Sequence, residues 1–562
     1  MAARQHSLSS SIARLHGDER TVAAPLNDAE ARAMRRTRLF GATGTVLMGI
    51  GALGAGARPV VQDPTFGVRL LNLPSRIQTV SLTMTTTGAV MMALAWLMLG
   101  RFTLGPRRMS RSQLDHTLLL WMVPLLIAPP MYSKDVYSYL AQSQISRIGL
   151  NPYKVGPAPG LGLDHVFTLS VPSLWRETPA PYGPLFLWIG RGISALTGEN
   201  IVAAVLSHRV VVLIGVGLIV WAVPRLARRC GVAEVSALWL GAANPLLLMH
   251  LVAGIHNEAL MMGLMLTGTE FALRGIDSAR TSPHWPRRRE QWVSVGLLAA
   301  GVVLITMSSQ VKLPGFLALG FVAMALAHRW GGTVKPFLLA SVLMMSISLL
   351  VMALIGWASG LGFGWIFTLG TANVVRSWMS PPTLLALGTG QVGILLGLGD
   401  HTTAVLSLTR AMGVLIITIT VTWLLLAVLR GRLHPVGGLG VALGATVLLF
   451  PVVQPWYLLW AIIPLAAWAT RPGFRIATIA VTLIVGIFGP TANGDRFALF
   501  QIIDATVAST VIVLLLIALT LHRLPWRTVP GTAETFSGQE PEPAPTEPPA
   551  PRPAPDAYAE SP

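Results

Sequence analysis

Cysteine is nearly absent: Cys230 stands alone in 562 residues, which excludes an intramolecular disulfide and any multi-cysteine metal site. Charge is scarce at 12% of residues, and acidic charge scarcest, with 24 Asp and Glu against 41 Lys and Arg. Familiar catalytic signatures are missing too. Without a Walker A lysine loop, a GxSxG elbow, an HExxH pair or an EF-hand loop, ATP-driven, serine-hydrolase and zincin chemistries have no support. The alternation of a β-barrel is absent, and so is any repeat of roughly twenty to fifty residues, the signature of many transporters.

What the chain has instead is apolar length. Hydrophobic residues make up 53% of it, gathered in runs that match the roughly 20 helical residues a bilayer core about 30 Å thick demands. The pattern predicts an all-α polytopic membrane protein of about fourteen spans: 40–57, 78–100, 114–131, 201–224, 234–252, 257–274, 291–309, 313–328, 336–356, 404–429, 436–453, 456–470, 475–490 and 503–521. The net charge of +17 sits in short clusters between these runs, where anionic lipid and the positive-inside rule account for it. No cluster combines Lys/Arg with an aromatic stacking platform, so nucleic acid is not an expected partner. Residues 1–39 are Arg-rich without a signal-peptide apolar core and read as a cytoplasmic tail. Residues 522–562 contain "EPEPAPTEPPAPRPAP", too poor in apolar side chains to fold; they read as a disordered cytoplasmic spacer or a docking segment for an intracellular partner.

With the N-terminus inside, "RFTLGPRRMSR", "RLARRC", "RTSPHWPRRRE" and "RGRLH" fall on the cytoplasmic side, within a total of about 28 of the 41 Lys and Arg. That arrangement requires "YGPLFLWIGRGISALTGEN", interrupted by Arg191, to be an interfacial helix rather than a span. The loop 132–200 is then extracytoplasmic. So is the segment 357–403, whose two apolar stretches read as a helical pair or as re-entrant elements.

An ionisable group at a membrane boundary is costly to dehydrate and defaults to a functional reading. Asp135 in "PPMYSKDVYSYLAQ" is such a group: it ends the third run, follows Lys134 and precedes Tyr137 and Tyr139, whose rings suit the headgroup level. The bland alternative is an interfacial anchor with a weak Lys134–Asp135 pair. On the same side lie His256, Asn257 and Glu258 in "AGIHNEALM", Lys312 in "SSQVKLPG", Arg376 in "NVVRSWMSPP", Gln454 and Trp456 in "PVVQPWYLLW", and Tyr182 in "TPAPYGPLFLW". Singly, each has a structural explanation as a cap, a snorkelling cation or a belt aromatic. Together they describe an outer pocket with a carboxylate, cations and aromatic faces, suited to an anionic lipid that carries a sugar.

If the sugar is linked to a lipid phosphate, the leaving group needs no strong general acid. One carboxylate suffices: Asp135 as base on an acceptor hydroxyl, with Arg376, Lys312 and His256 holding the phosphate, gives displacement with inversion. Glycoside hydrolysis would need two carboxylates at a set separation. Gln454, Asn257 and the tyrosines would hydrogen-bond or stack against sugars. Arg209 and Arg410, inside apolar runs, keep a lipid-linked-saccharide transporter open as an alternative.

The outer Asp, the helical element after it, the "YGPL" interfacial helix and the outer "HNEALM" resemble the GT-C superfamily of polyprenyl-phosphate-sugar-dependent glycosyltransferases. Within it, "MYSKDVYSYLAQ", "GLNPYKVGP", "TPAPYGPLFLW", "AGIHNEALM" and "PVVQPWYLLW" resemble the mycobacterial and corynebacterial α-(1→6)-mannopyranosyltransferases. The stretch beginning "TRLFGATGTVLMGIGALGAGARPVVQDP" is similar to the MptB type, and the resemblance covers roughly residues 11–521. It implies a GT-C-like bundle at the plasma membrane that moves mannose from a decaprenyl-phosphate-mannose donor to a lipid-anchored α-(1→6)-mannan of lipomannan and lipoarabinomannan, with Asp135 at the position of the catalytic base. Many relatives have two adjacent acidic residues where this chain has Lys134-Asp135, which leaves Glu258, Asp164 and Glu177 as possible second carboxylates. No cofactor is expected, and no divalent metal, because Arg and Lys can neutralise the leaving phosphate. A non-catalytic envelope-assembly factor and a GT-C enzyme for another sugar or linkage are the remaining alternatives.

Overall fold

The computed structural model describes residues 12–19, 23–278, 288–374, 376–489 and 497–526. The first helix shows how local sequence sets the elements. Asn27 accepts the Glu30 N–H at 2.8 Å and Glu30 returns a bond to the Asn27 N–H at 2.9 Å, a capping box that starts α1 (Asp28–Ala55). The first span thus belongs to a helix whose basic opening turns lie inside the stretch read as a tail. Residues 12–19 are docked as well: the Leu15 carbonyl accepts from Thr470 and Arg471, His16 stacks on Trp468, and Glu19 pairs with Arg475 at 2.6 Å. The Pro-rich stretch of the other terminus lies outside the described residues, as does most of "RTSPHWPRRRE".

The chain continues through α2 (Arg69–Arg76), α3 (Gln78–Leu104), α4 (Arg111–Ile127), α5 (Asp135–Arg147), α6 (Pro184–Thr197), α7 (Ile201–Arg229), α8 (Glu234–Gly241) and α9 (Glu258–Ser278). It then forms α10 (Arg288–Ser309), α11 (Leu317–Arg329), α12 (Val334–Ser359), α13 (Pro381–Leu395), α14 (Thr402–Leu429), α15 (Pro435–Leu449), α16 (Leu458–Ala466), α17 (Pro472–Phe488) and α18 (Leu499–Thr520). Among the described residues the strands amount to one two-residue pairing, β1 (Ala24–Pro25) with β2 (Arg107–Arg108).

The protein is a polytopic all-α membrane protein, with helix in most of each expected span. Among the described residues, however, seven helices are long and apolar enough to cross a bilayer, or eight if the pair Leu247–Ala253 and Glu258–Ser278, bent by 109°, counts as one span. The helices at 313–329, 435–449, 455–466 and 472–488 are shorter apolar pieces. Close packing of α1 on α3 rests on small residues: a Cβ on Gly44 would lie 2.7 Å from the Gly88 carbonyl oxygen. The loop 132–200 contains α5 and α6 packed against each other. Arg191, the charge that interrupts α6, donates to the Ser359 carbonyl at the end of α12 at 2.8 Å. The segment 357–403 resolves into a 3-10 helix, Gly364–Val374, and α13.

Candidate active site

Local chemistry delivers Asp135. After α4 the chain passes Pro129 and Pro130, which cannot extend a helix, and Tyr132 takes φ 67°, a left-handed conformation that is costly for a bulky residue. Ser133 Oγ then accepts the Asp135 N–H at 3.1 Å as α5 begins. Buried Arg209 of α7 donates to the Leu126 and Ala128 carbonyls, among the acceptors that the end of α4 leaves without helical partners. This intramembrane cation thus has its hydrogen-bond partners at a helix end.

Opposite Asp135, the span that starts with α8 breaks. A π-helix, Leu247–Ala253, gives way to Gly254 and to Ile255 at φ 60° before α9 leaves at its steep angle. Backbone strain and π-turns of this kind concentrate at functional sites. The Met131 N–H donates to the Ala253 carbonyl at 3.0 Å, tying the two irregular segments together. A Cβ on Gly254 would lie 3.1 Å from the Met131 carbonyl oxygen and 3.0 Å from the His256 ring, so the closeness depends on glycine. As a result the Asp135 carboxylate stands 3.6 Å from His256 Nδ1.

His256 is fully buried and stacked on Trp456, with ring centres 3.6 Å apart. Glu258, only 1% exposed, accepts from Lys312 Nζ and from Trp456 Nε1 at 3.0 Å, both on Oε1. Lys312 also donates to the Tyr457 hydroxyl at 3.1 Å and lies 4.5 Å from that ring's centre. Burial alone would discharge the Lys312 ammonium, but the Glu258 carboxylate and Tyr457 more than offset it and hold its pKa above the ordinary lysine value. Asp135 keeps 26% of its side chain accessible. Burial and the Glu258 charge push its carboxyl up to about 6, against the opposing pull of Lys312 and Ser133. The carboxylates therefore differ in role: Glu258 anchors Lys312 and Trp456, while Asp135 faces open space.

That space is a cavity of about 780 Å³. Its polar end is formed by Asp135, Tyr182, Lys312, Gln454, Trp456 and Tyr457, and Asp135 and Lys312 are the two charged side chains in the lining. From there it runs as an apolar trough between α11, α12 and α14, past Met324, Met344 and Leu425.

Residues 38–328 match the N-terminal domain of the alpha-(1->6)-mannopyranosyltransferase family, and residues 382–518 match the MptB C-terminal domain. The chain belongs to this family. It is 80% identical to a Mycolicibacterium smegmatis chain named "Probable alpha-(1->6)-mannopyranosyltransferase" and 75% identical to an alpha-(1->6)-mannopyranosyltransferase of Mycobacterium tuberculosis, in both cases over the whole of each chain. Alpha-(1->6)-mannopyranosyltransferase B of Corynebacterium glutamicum is 39% identical over 84% of this chain and 79% of its own. No solved structure matches.

In this mannopyranosyltransferase-family chain the structure brings Asp135, Tyr182, His256, Glu258, Lys312, Gln454 and Trp456 together. Asn257 is buried beside them, and its side-chain amide has no hydrogen-bond partner among the described residues. Lys134 is half-buried next to Asp135 but does not line the cavity. Tyr137 donates to the Ala57 carbonyl at 2.5 Å, and Tyr139 packs on Tyr182, Phe186 and His208, so both lie beneath the site. Arg376 is exposed and outside the lining, with Asp400 and Arg410 as its electrostatic neighbours. Asp164 and Glu177 are likewise exposed and outside it. Sequence reasoning missed Tyr457 and Trp460, although "PWYLLW" places Trp456 and Trp460 at i, i+4 and so on one helical face.

Proposed function

We propose that this member of the family transfers mannose from polyprenyl-phosphate mannose to a lipid-anchored α-(1→6)-mannan at the outer face of the plasma membrane, with inversion and with Asp135 as general base. The observation that carries this reading is the continuity of one cavity from Asp135 and Lys312 into the apolar trough: a lipid-linked sugar phosphate needs a reacting end beside a base and a cation, and a dry channel for its chain. In the reaction Asp135 takes the proton of the acceptor hydroxyl, whose oxygen attacks the anomeric carbon on the face opposite the phosphate. The bond to the phosphate oxygen breaks, and its electron pair leaves with the lipid phosphate, whose charge Lys312 meets. Inversion to an α linkage requires a β-linked donor.

A carboxyl with a pKa of about 6 is ionised at neutral pH yet not too weak a base, as general-base catalysis prefers. His256 and Trp456 hold the walls, while Gln454 and Tyr182 offer hydrogen bonds to hydroxyls. Lys312 is the reason to propose metal-free transfer. The test is transfer by the purified protein in lipid, using β-linked polyprenyl-phosphate mannose and a short α-(1→6)-mannoside, with and without EDTA. An α-(1→6) product formed at equal rate in EDTA is expected. Passage of intact donor across the bilayer with no product would sink the proposal, and a rate restored only by Mg²⁺ would sink its metal-free part.

A further inference from the structure

The end of the bundle remote from Asp135 has a polar cavity of its own. α9 links the two ends: Glu258 at its start belongs to the active site, and Asp277 near its end lies about 28 Å away at about 1.5 Å per residue. Around Asp277 a cavity of about 500 Å³ opens between the ends of α7, α9, α11 and α14, and Arg229, Arg432 and His434 line it above the apolar side chains of Ile276 and Val428. A neighbouring cavity of about 250 Å³ shares Arg229, Arg432 and His434 and reaches His16 and Trp468.

Helix C-termini converge here, and cations in last turns are partly their ordinary complement. Arg229 is further accounted for by Glu270, at 3.1 Å through two bonds, and by Asp277. Arg432 is different. It sits in the turn after α14, is exposed, and forms no ion pair among the described residues. His434 Nδ1 accepts the Val436 N–H at 3.2 Å, so the neutral ring carries its proton on Nε2. The cavity thus offers a guanidinium and a ring N–H above an apolar floor, the pattern by which basic pockets between membrane helices bind lipid headgroups.

We propose that this cavity binds the phosphate of an anionic phospholipid headgroup, with Arg432 and His434 as donors and Ile276 and Val428 against the glycerol end. Such a headgroup bridges the two matched regions of the chain, since Arg229 and Asp277 come from one and Arg432 and His434 from the other. The site is independent of mannosyl transfer.

The experiment measures binding to the full-length protein in neutral detergent by native mass spectrometry, with dioctanoyl phosphatidylglycerol, dioctanoyl phosphatidylcholine and inorganic phosphate as separate probes. Phosphatidylglycerol is expected to bind at least about tenfold more tightly than either other probe, and Arg432→Gln to remove about tenfold of that affinity while the unliganded melting temperature is unchanged. Equal binding of the two lipids, or an Arg432→Gln protein that binds as wild type does, overturns the site. Inorganic phosphate binding as tightly as phosphatidylglycerol overturns the lipid and assigns the site to a soluble phosphate.

Discussion

The region that matches the family's N-terminal domain and the region that matches its C-terminal domain bury their helices to different depths. The most apolar stretch of α3 is 67% buried inside the protein, and that of α18 is 17% buried. The carboxylates, the imidazole and the ammonium of the site, Asp135, Glu258, His256 and Lys312, all come from the first region. The second supplies Gln454, Trp456 and Tyr457 and much of the trough wall. Buried polar groups demand dense, specific partners, which the first region provides. Helices facing acyl chains lose nothing by leaving leucines outward, and α14 and α18 do so, α14 while also lining the trough.

Asp135→Asn tests the first region most severely: transfer is expected to fall by about 10² to 10⁴ with donor binding kept. A fall of less than tenfold would break the assignment of chemistry to that side. For the wild type, kcat/KM should rise with pH through about 6 and then level, because only the ionised carboxylate accepts the proton.

Lys312→Met should cost about tenfold at neutral pH and move that rise to higher pH, since the cation lowers the Asp135 pKa and leaves Glu258 unpaired when removed. The double variant Lys312→Met/Glu258→Gln removes both influences. The rise should then return toward pH 6 while donor KM remains above the wild-type value, and a wild-type KM would show that Lys312 only steadies Glu258.

In the second region, Leu425→Trp narrows the trough beside Gly320, whose Cβ position is 3.2 Å from the Leu425 side chain. The expected effect is a rise of about threefold to tenfold in KM for a long-chain donor, with kcat and short-chain KM unchanged. Equal effects on both donors would remove the trough as the chain's seat. Smallest of all, Leu514→Ala on the outward face of α18, 59% exposed, should shift stability by no more than about 0.5 kcal/mol in a denaturation series. A larger loss would mean that this helix packs on protein.

Helical class, the positions of the apolar stretches and the polar stations at 135, 256–258, 312 and 454–456 were legible in the sequence, because hydrophobic length and isolated charges act locally. Arg376 was legible only as a charge. Nothing in "NVVRSWMSPP" says whether its guanidinium turns to the site or, as the structure has it, away. Arg209 likewise had two meanings until the Leu126 and Ala128 carbonyls were seen beside it.

By itself the sequence determined a helical membrane protein with an acidic residue at a boundary, since the free energy of placing apolar and charged groups in a bilayer depends on each segment alone. Which carboxylate faces the cavity was decided by tertiary structure. The break at Gly254 and Ile255, the bond from Met131 to Ala253 and the capture of Glu258 by Lys312 and Trp456 all join residues far apart in the chain. Distances of a few ångströms between such residues follow from how whole helices pack, and no local pattern records them.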